Sequence, residues 1–146
     1  MERKISETQL TIEIPEGMEI DTEHSDLAKG IIKFKSKSLT YDNISDALTT
    51  ITYTGFSVCS DYMDRLRAIA QLMNIAKYYN NDWQPNWSNS KENKYCIKFD
   101  YHKDRFYVDY NNSIGAGDVF FKNSEDARAV INNPNFESIL DTIYKN

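Results

Sequence analysis

The sequence has few of the residues that interrupt a fold or tie it together. Its 146 residues include 5 glycines, 3 prolines and 2 cysteines. So little glycine and proline argues against extensive disorder. Cys59 and Cys96 cannot build a disulfide framework and lack a Cys-x-x-Cys spacing, so a reducing cytoplasm fits best. The length predicts one domain over residues 1–146, loose over 1–8 and able to bury a core without disulfides or metal.

Other absences narrow the function. No apolar run approaches the ~20 residues of a membrane span, and no apolar segment behind the first residues resembles a signal peptide. The net charge of −5 argues against generic binding of duplex nucleic acid, which needs a basic surface. His24 and His102 have no metal-ligand spacing, so we predict no metal site and no cofactor.

Aromatic residues are plentiful instead, with 10 Tyr, 7 Phe and 2 Trp. Apolar alternation predicts strands over 10–14 and 31–37. Thr40 is the expected N-cap of a short helix, and a long helix should run from Ser60 to Tyr79. Residues 52–59 fit either a strand or a loop. The expected apolar face of the long helix consists of Leu66, Ile69, Ala70, Met73 and Ala76.

A β-hairpin over 95–110 is the clearest local pattern. One register places every apolar side chain on the same face and an ion pair on the other. It pairs Tyr101 with Phe106, Phe99 with Val108, Ile97 with Tyr110 and Lys98 with Asp109. We therefore expect Phe99 and Val108 to be buried.

The remaining chain predicts a strand over 118–121 and a helix that begins after Ser124. A last helix should start at Asn133-Pro134, with Asn133 as N-cap. Strands in pairs with helices between them predict an α+β fold. Its sheet should be mainly antiparallel, with the hairpin at its centre and helices packed on one face.

Two features resemble catalytic sites. Gly115-Ala116-Gly117-Asp118 resembles the anion-hole motif of ribokinase-type sugar kinases, but the residues that follow read as a strand, so the helix dipole is missing. The chain is also too short for that fold. Lys98 could lower the pKa of Cys96, yet no histidine is expected within reach. We predict no catalytic residue, and a small enzyme using Asp118 or Cys96 stays an alternative.

The loop with Trp83 and Trp87 is the main binding candidate. Its tryptophans either fold back to plug the core or form the wall of a ligand or partner site. A second candidate is the basic face with Lys33 and Lys35. That face is either an anion site or, as we favour, an edge strand protected by lysines.

Four motifs carry a resemblance to a known group. They are Ile14-Pro15-Glu16-Gly17-x-Glu19-Ile20-Asp21, Asp82-Trp83-x-Pro85-x-Trp87, Lys94-Tyr95-x-Ile97, and Val119-x-Phe121-x-x-Ser124-x-x-Ala127. Together they resemble small accessory proteins of Bacteroidetes phages and mobile elements, a group without an established activity. The resemblance implies a phage protein that acts in a bacterial cytoplasm.

These observations predict a non-enzymatic binding protein, with a counter-defence role as one form of it. It would sequester a nucleotide-like signal or occlude a host protein, and a homo-oligomer is compatible with the sequence. Trp83, Trp87 and Tyr101 would offer stacking surfaces, while Lys33, Lys35 and Lys94 would meet phosphate. The alternative binding function is that of a single-strand nucleic-acid accessory protein using the same aromatic residues.

Overall fold

The computed structural model describes residues 11–48, 59–111 and 118–145. It confirms the α+β class, with helices and two antiparallel sheets. The chain divides into two compact units, Met1–Ser38 and Leu39–Asn146. The single-domain expectation stays a prediction. The strands are β1 Met18–Ile20, β2 Phe34–Ser36, β3 Lys94–Asp100, β4 Arg105–Asn111 and β5 Phe120–Phe121. The α-helices are α1 Tyr41–Ala47, α2 Ser60–Asn80, α3 Ser124–Asn132 and α4 Glu137–Tyr144.

The first unit is a two-stranded ribbon, with Met18 opposite Ser36 and Ile20 opposite Phe34. The expected strand over 10–14 is wrong for residues 11–14, which belong to no strand, and Leu10 lies outside the described residues. The strand forms instead after Gly17, whose φ of +74° suits a residue without a Cβ. Alternation alone does not make a strand when no neighbouring strand pairs with it.

The expected caps Thr40 and Asn133 are confirmed. Ser60 and Ser124, expected as caps of α2 and α3, are instead the first helical residues, and Cys59 and Asn123 are the N-caps. Thr40 and Asn43 form a capping box at the start of α1, which buries Ile44. Asn133 accepts a hydrogen bond from the Asn135 N–H, and Pro134 follows it at the first helical position. The last helix differs in one respect, because a 3-10 turn over Pro134–Phe136 precedes α4. The expectation for 52–59 falls outside the described residues except at Cys59.

The buried face of α2 differs from the expected one. Leu66 and Met73 are exposed, at 37% and 57%, and Ala70 is exposed as well. The buried side chains are Ala68, Leu72, Ile75 and Ala76, of which Ala76 was expected, and the expected Ile69 is half-buried against the core. The two sets lie roughly 100° apart around the helix axis, at ~100° per residue. Because α2 carries two neighbouring apolar stripes, periodicity alone could not decide which stripe packs against the core.

The larger sheet has the order β4-β3-β5, with both neighbours antiparallel to β3. The expected hairpin register is wrong by two residues. The structure pairs Tyr95 with Tyr110, Ile97 with Val108, Phe99 with Phe106 and Lys98 with Tyr107. A shift of two residues keeps each side chain on its face, so the apolar pattern could not distinguish the registers.

The turn explains this register. Asp100 Oδ1 accepts the backbone N–H groups of His102 and Lys103, and Asp104 takes a φ of +46°. Tyr101 therefore belongs to the turn and has no partner strand. Phe99 and Val108 were expected to be buried but are half-buried. The most deeply buried apolar side chain of the hairpin is that of Ile97, at 1% exposure.

The core lies between one face of this sheet and the helices. Ile97 and Phe121 share a buried cluster with residues of α2, α3 and α4, and the half-buried Phe106 and Val108 pack against it. The opposite face of β3 carries Lys94, Cys96 and Lys98, and that face meets the tryptophan loop. Within the described ranges, no helix is long and apolar enough to span a membrane.

Candidate functional site

The tryptophan loop, residues 81–93 between α2 and β3, is organised by one carboxylate. Glu92 Oε1 accepts the indole N–H of Trp83 at 3.3 Å, and Oε2 accepts the Asn86 backbone N–H at 2.9 Å. Lys94 Nζ lies 3.1 Å from Oε2. The backbone hydrogen bond from Asn86, followed by the contact with Lys94, lowers the pKa of Glu92. An ionised Glu92 thus fixes the loop from three directions.

Lys94 is fully buried, at 0% exposure. Besides Glu92 Oε2, its ammonium donates to the Asn89 carbonyl at 3.2 Å and to the Glu92 carbonyl at 2.9 Å. An ammonium has three protons, and these three acceptors use them all. The expectation that Lys94 meets phosphate is therefore contradicted, because the side chain is enclosed and holds the loop instead.

The two tryptophans both pack and remain accessible. The Trp87 ring meets Phe120 edge to face, with centroids 5.0 Å apart, and Lys94 Nζ lies 5.4 Å from the Trp87 centroid. Trp83 is anchored through its N–H, and both rings are half-buried. The two roles expected for the tryptophans, plugging the core and forming the wall of a binding site, are therefore compatible. Each ring covers protein on one side and presents its remaining surface to a groove.

This groove, the tryptophan groove, lies between α2, the tryptophan loop and the start of β5. Its volume is about 510 Å³, which falls within the ~300–1,000 Å³ typical of ligand pockets. Most of its lining side chains are apolar or aromatic, and the polar ones are Lys77, Asn80, Gln84 and Asp118. The apolar lining comprises Ile69, Met73, Ala76, Trp83, Pro85, Trp87, Val119 and Phe120.

Asn80 fixes one side of the groove by clasping the edge strand β5. Its side-chain N–H donates to the Phe120 carbonyl at 2.8 Å, and its Oδ1 accepts the Lys122 backbone N–H at 2.8 Å. The amide thus satisfies the outer edge of β5 as a neighbouring strand would. Sequence reasoning missed both Asn80 and Glu92. The only signal was their position at the two ends of the tryptophan loop.

An exposed apolar stripe on α2 continues the groove. Tyr62, Leu66, Ile69 and Met73 follow one another at helical spacing, and the stripe spans about 17 Å. Tyr62 is 59% exposed and Met73 57%, while Ile69 is half-buried. Ile69 and Met73 also line the groove. Stripe and groove therefore form one surface, which uses the residues we had expected in the core.

The other expected binding residues lie elsewhere. Tyr101 is 72% exposed at the hairpin turn, and its hydroxyl donates to the Tyr144 carbonyl. Lys33 and Lys35 belong to the first unit, where both are exposed. Lys35 Nζ lies 3.5 Å from Glu19 Oε1 across the ribbon. None of these three lines the tryptophan groove.

Asp118 and Cys96, the residues considered for catalysis, make ordinary structural contacts. Lys98 Nζ contacts Asp118 Oδ1 at 2.7 Å, and β5 rather than a helix follows Asp118. The glycines of the 115–117 motif lie outside the described residues. Burial raises the pKa of the Cys96 thiol to about 11, in spite of the opposing effect of Lys98. Lys98 does act to lower the pKa of the thiol, as its position suggested, but desolvation outweighs that effect.

Metal-binding geometry is also lacking in the described ranges, where no group of three His, Cys, Asp or Glu side chains is placed to hold an ion. Comparison of the chain with protein-family models, curated proteins and solved structures finds no match. The tryptophan groove and its surroundings are therefore the features that bear on function.

Proposed function

We propose that this protein is a non-enzymatic binding protein that receives apolar side chains of a partner protein in the tryptophan groove. The observation that carries the proposal is the continuity of the groove with the exposed stripe on α2. Large apolar side chains scattered singly on a surface are ordinary, but a contiguous patch beside a groove is typical of an interaction site. Trp83 and Trp87 belong to the residue type most enriched at binding hot spots.

The charges around the groove favour a protein segment over a nucleotide. Among the lining residues, Lys77 is the only cation, and its ammonium donates to the Asn81 carbonyl at 2.7 Å. The same ammonium lies 3.6 Å from Asp82 Oδ1. Asp118 adds a carboxylate to the lining. A phosphate would meet no uncommitted cation here, whereas an apolar side chain loses little on entering.

The shape of the surface indicates how the partner binds. A straight apolar stripe along a helix, ending in an aromatic groove, suits the apolar face of an amphipathic helix. The resemblance to phage accessory proteins supports a host protein as this partner, and occlusion of that protein as the outcome. The counter-defence role belongs to the same proposal and is supported by that resemblance alone.

A photo-crosslinking experiment tests the proposal. A benzophenone amino acid replaces Met73 in one variant and Ala129, an exposed residue of α3, in the matched control. In host lysate, we expect protein adducts at position 73 and not at 129. Separately, Leu66→Glu should abolish the adduct at 73 without changing the melting temperature, because Leu66 belongs to the exposed stripe.

Three results would contradict the proposal. They are equal adducts at both positions, adducts unaffected by Leu66→Glu, or adducts with nucleic acid at position 73. The last, if it weakened steeply with salt, would favour the single-strand nucleic-acid function instead.

A further inference from the structure

Over residues 106–110, the outer edge of β4 pairs with no other described strand. The sheet order places β4 and β5 at its two edges. Asn80 covers the edge of β5, as described above. Between Phe106 and Tyr110, the described contact of this kind is local, from the Tyr110 N–H to the neighbouring Asp109 Oδ1 at 2.9 Å.

Hydrogen bonds identify which backbone groups this edge presents. Tyr144 Oη donates to the Ile97 carbonyl at 2.6 Å, so the backbone N–H and C=O of Ile97 point toward the β5 side of β3. Because backbone groups alternate in direction along a strand, those of Cys96 and Lys98 point toward β4, where they pair with Asp109 and Tyr107. The backbone groups of Phe106, Val108 and Tyr110 consequently point outward, as the contact of the Tyr110 N–H also shows.

This edge lacks three of the usual protections against pairing. Native edge strands are commonly blocked by lysine, proline or a bulge. β4 reads Arg-Phe-Tyr-Val-Asp-Tyr-Asn, which has neither lysine nor proline. Its pairing with β3 runs without a bulge over all 7 residues. The side chains of Tyr107 and Tyr110 are 41% and 61% exposed.

We infer that β4 is the interface of a symmetric homodimer, in which two copies pair their β4 strands antiparallel about Tyr107. In this register Arg105 of each chain lies opposite Asp109 of the other, so both ends of the interface carry opposite charges. Phe106 and Val108 of the two chains exchange backbone hydrogen bonds, and the two Tyr107 rings meet at the axis. A two-fold interface requires this kind of self-complementarity.

The charges of this register are available for the interface. Among the described residues, Arg105 forms no ion pair. Asp109 accepts the Tyr110 N–H and its charge also acts on Lys98, but its side chain is exposed. The pairing also leaves the tryptophan groove open, because the groove lies beside β5, on the far side of β3. The dimer would therefore present two grooves, and the inference does not depend on the proposed function.

Sedimentation equilibrium of the full chain tests this inference. We expect a monomer–dimer equilibrium that Asp109→Arg weakens by at least about tenfold, because it places two arginines opposite each other at each end. Arg105→Asp should weaken it similarly. The double variant Arg105→Asp with Asp109→Arg restores opposite charges and should return the dissociation constant to within about threefold of the original.

The double variant is the decisive control. Both single changes lie on exposed side chains, and circular dichroism and melting curves would show that each variant is folded. A chain that remains monomeric throughout the concentration range would overturn the inference. So would a dimer that the single variants leave intact, or weakening that the double variant does not reverse, because each points to another surface.

Discussion

Replacing Lys94 by methionine should loosen the tryptophan loop at a measurable cost in stability. Methionine keeps the length and apolar stem of the side chain but removes the ammonium, which donates at 2.9 to 3.2 Å to the Glu92 carbonyl, Glu92 Oε2 and the Asn89 carbonyl. Removing one partner of a buried ion pair usually costs about 3–5 kcal/mol. The remaining carboxylate is 25% exposed and keeps two donors, so we expect about 2–3 kcal/mol.

The two tryptophans of the chain make the assay specific to this loop. Both lie between Asn81 and Asn93, so fluorescence excited selectively at tryptophan, away from the 10 tyrosines, reports on the tryptophan loop alone. In Lys94→Met, we expect a red-shifted emission maximum under native conditions, an unchanged far-ultraviolet circular dichroism spectrum and a lower urea midpoint. The shift follows because both rings gain water when the loop opens.

Lys103→Met is the matched control. Lys103 Nζ lies 3.8 Å from Asp100 Oδ2, but the lysine side chain is 64% exposed. Exposed pairs of this kind contribute at most about 1 kcal/mol. The reasoning would be refuted if Lys94→Met changed stability no more than the control and left the emission maximum unchanged.

Two further predictions concern β5 and the buried thiol. Asn80→Ala should lower the free energy of unfolding in urea by about 2 kcal/mol, since two hydrogen bonds to β5 are lost at about 1 kcal/mol each. The control Asn132→Ala, at an exposed position of α3, should be near neutral. Equal effects of the two changes would contradict the role of Asn80 at the edge of β5. For Cys96, the unfolded thiol ionises near its ordinary pKa of 9.0 while the folded thiol holds its proton to about 11. Stability should thus fall as pH rises from 9 to 11, less so in Cys96→Ala, and a thiol reagent at neutral pH should modify exposed Cys59 but not Cys96 in the native chain.

The fold class and two of the four caps could be predicted because local chemistry determines them. The capping box at Thr40 and the Asn133-Pro134 start depend on residues within one turn of each other. The hairpin was found for the same reason, since its alternation lies within a short stretch. Its register was missed because the side-chain interactions of Asp100 in the turn, rather than the apolar pattern, determine it.

The tryptophan site could be located but not understood from the sequence. The loop was evident from its composition, yet the burial of Lys94 depends on Glu92 and on the Asn89 carbonyl, which meet only once the loop closes. The sequence also grouped Lys33 and Lys35 with the tryptophans by chemistry. In the structure these lysines belong to the first unit, and neither is among the residues that line the groove.

The exposed apolar stripe of α2, which was expected in the core, gives the strongest support to the proposed function. Leu66 and Met73 fit the pattern of a core stripe, but the core already takes Leu72 and Ile75 from the neighbouring stripe. A helix that packs on one face has no structural need of a second apolar face. Local rules that fail without a structural compensation tend to fail at functional sites. This stripe leads into a groove whose wall is held by Glu92 and Lys94, so the excess apolar surface of α2 supports the proposed binding function.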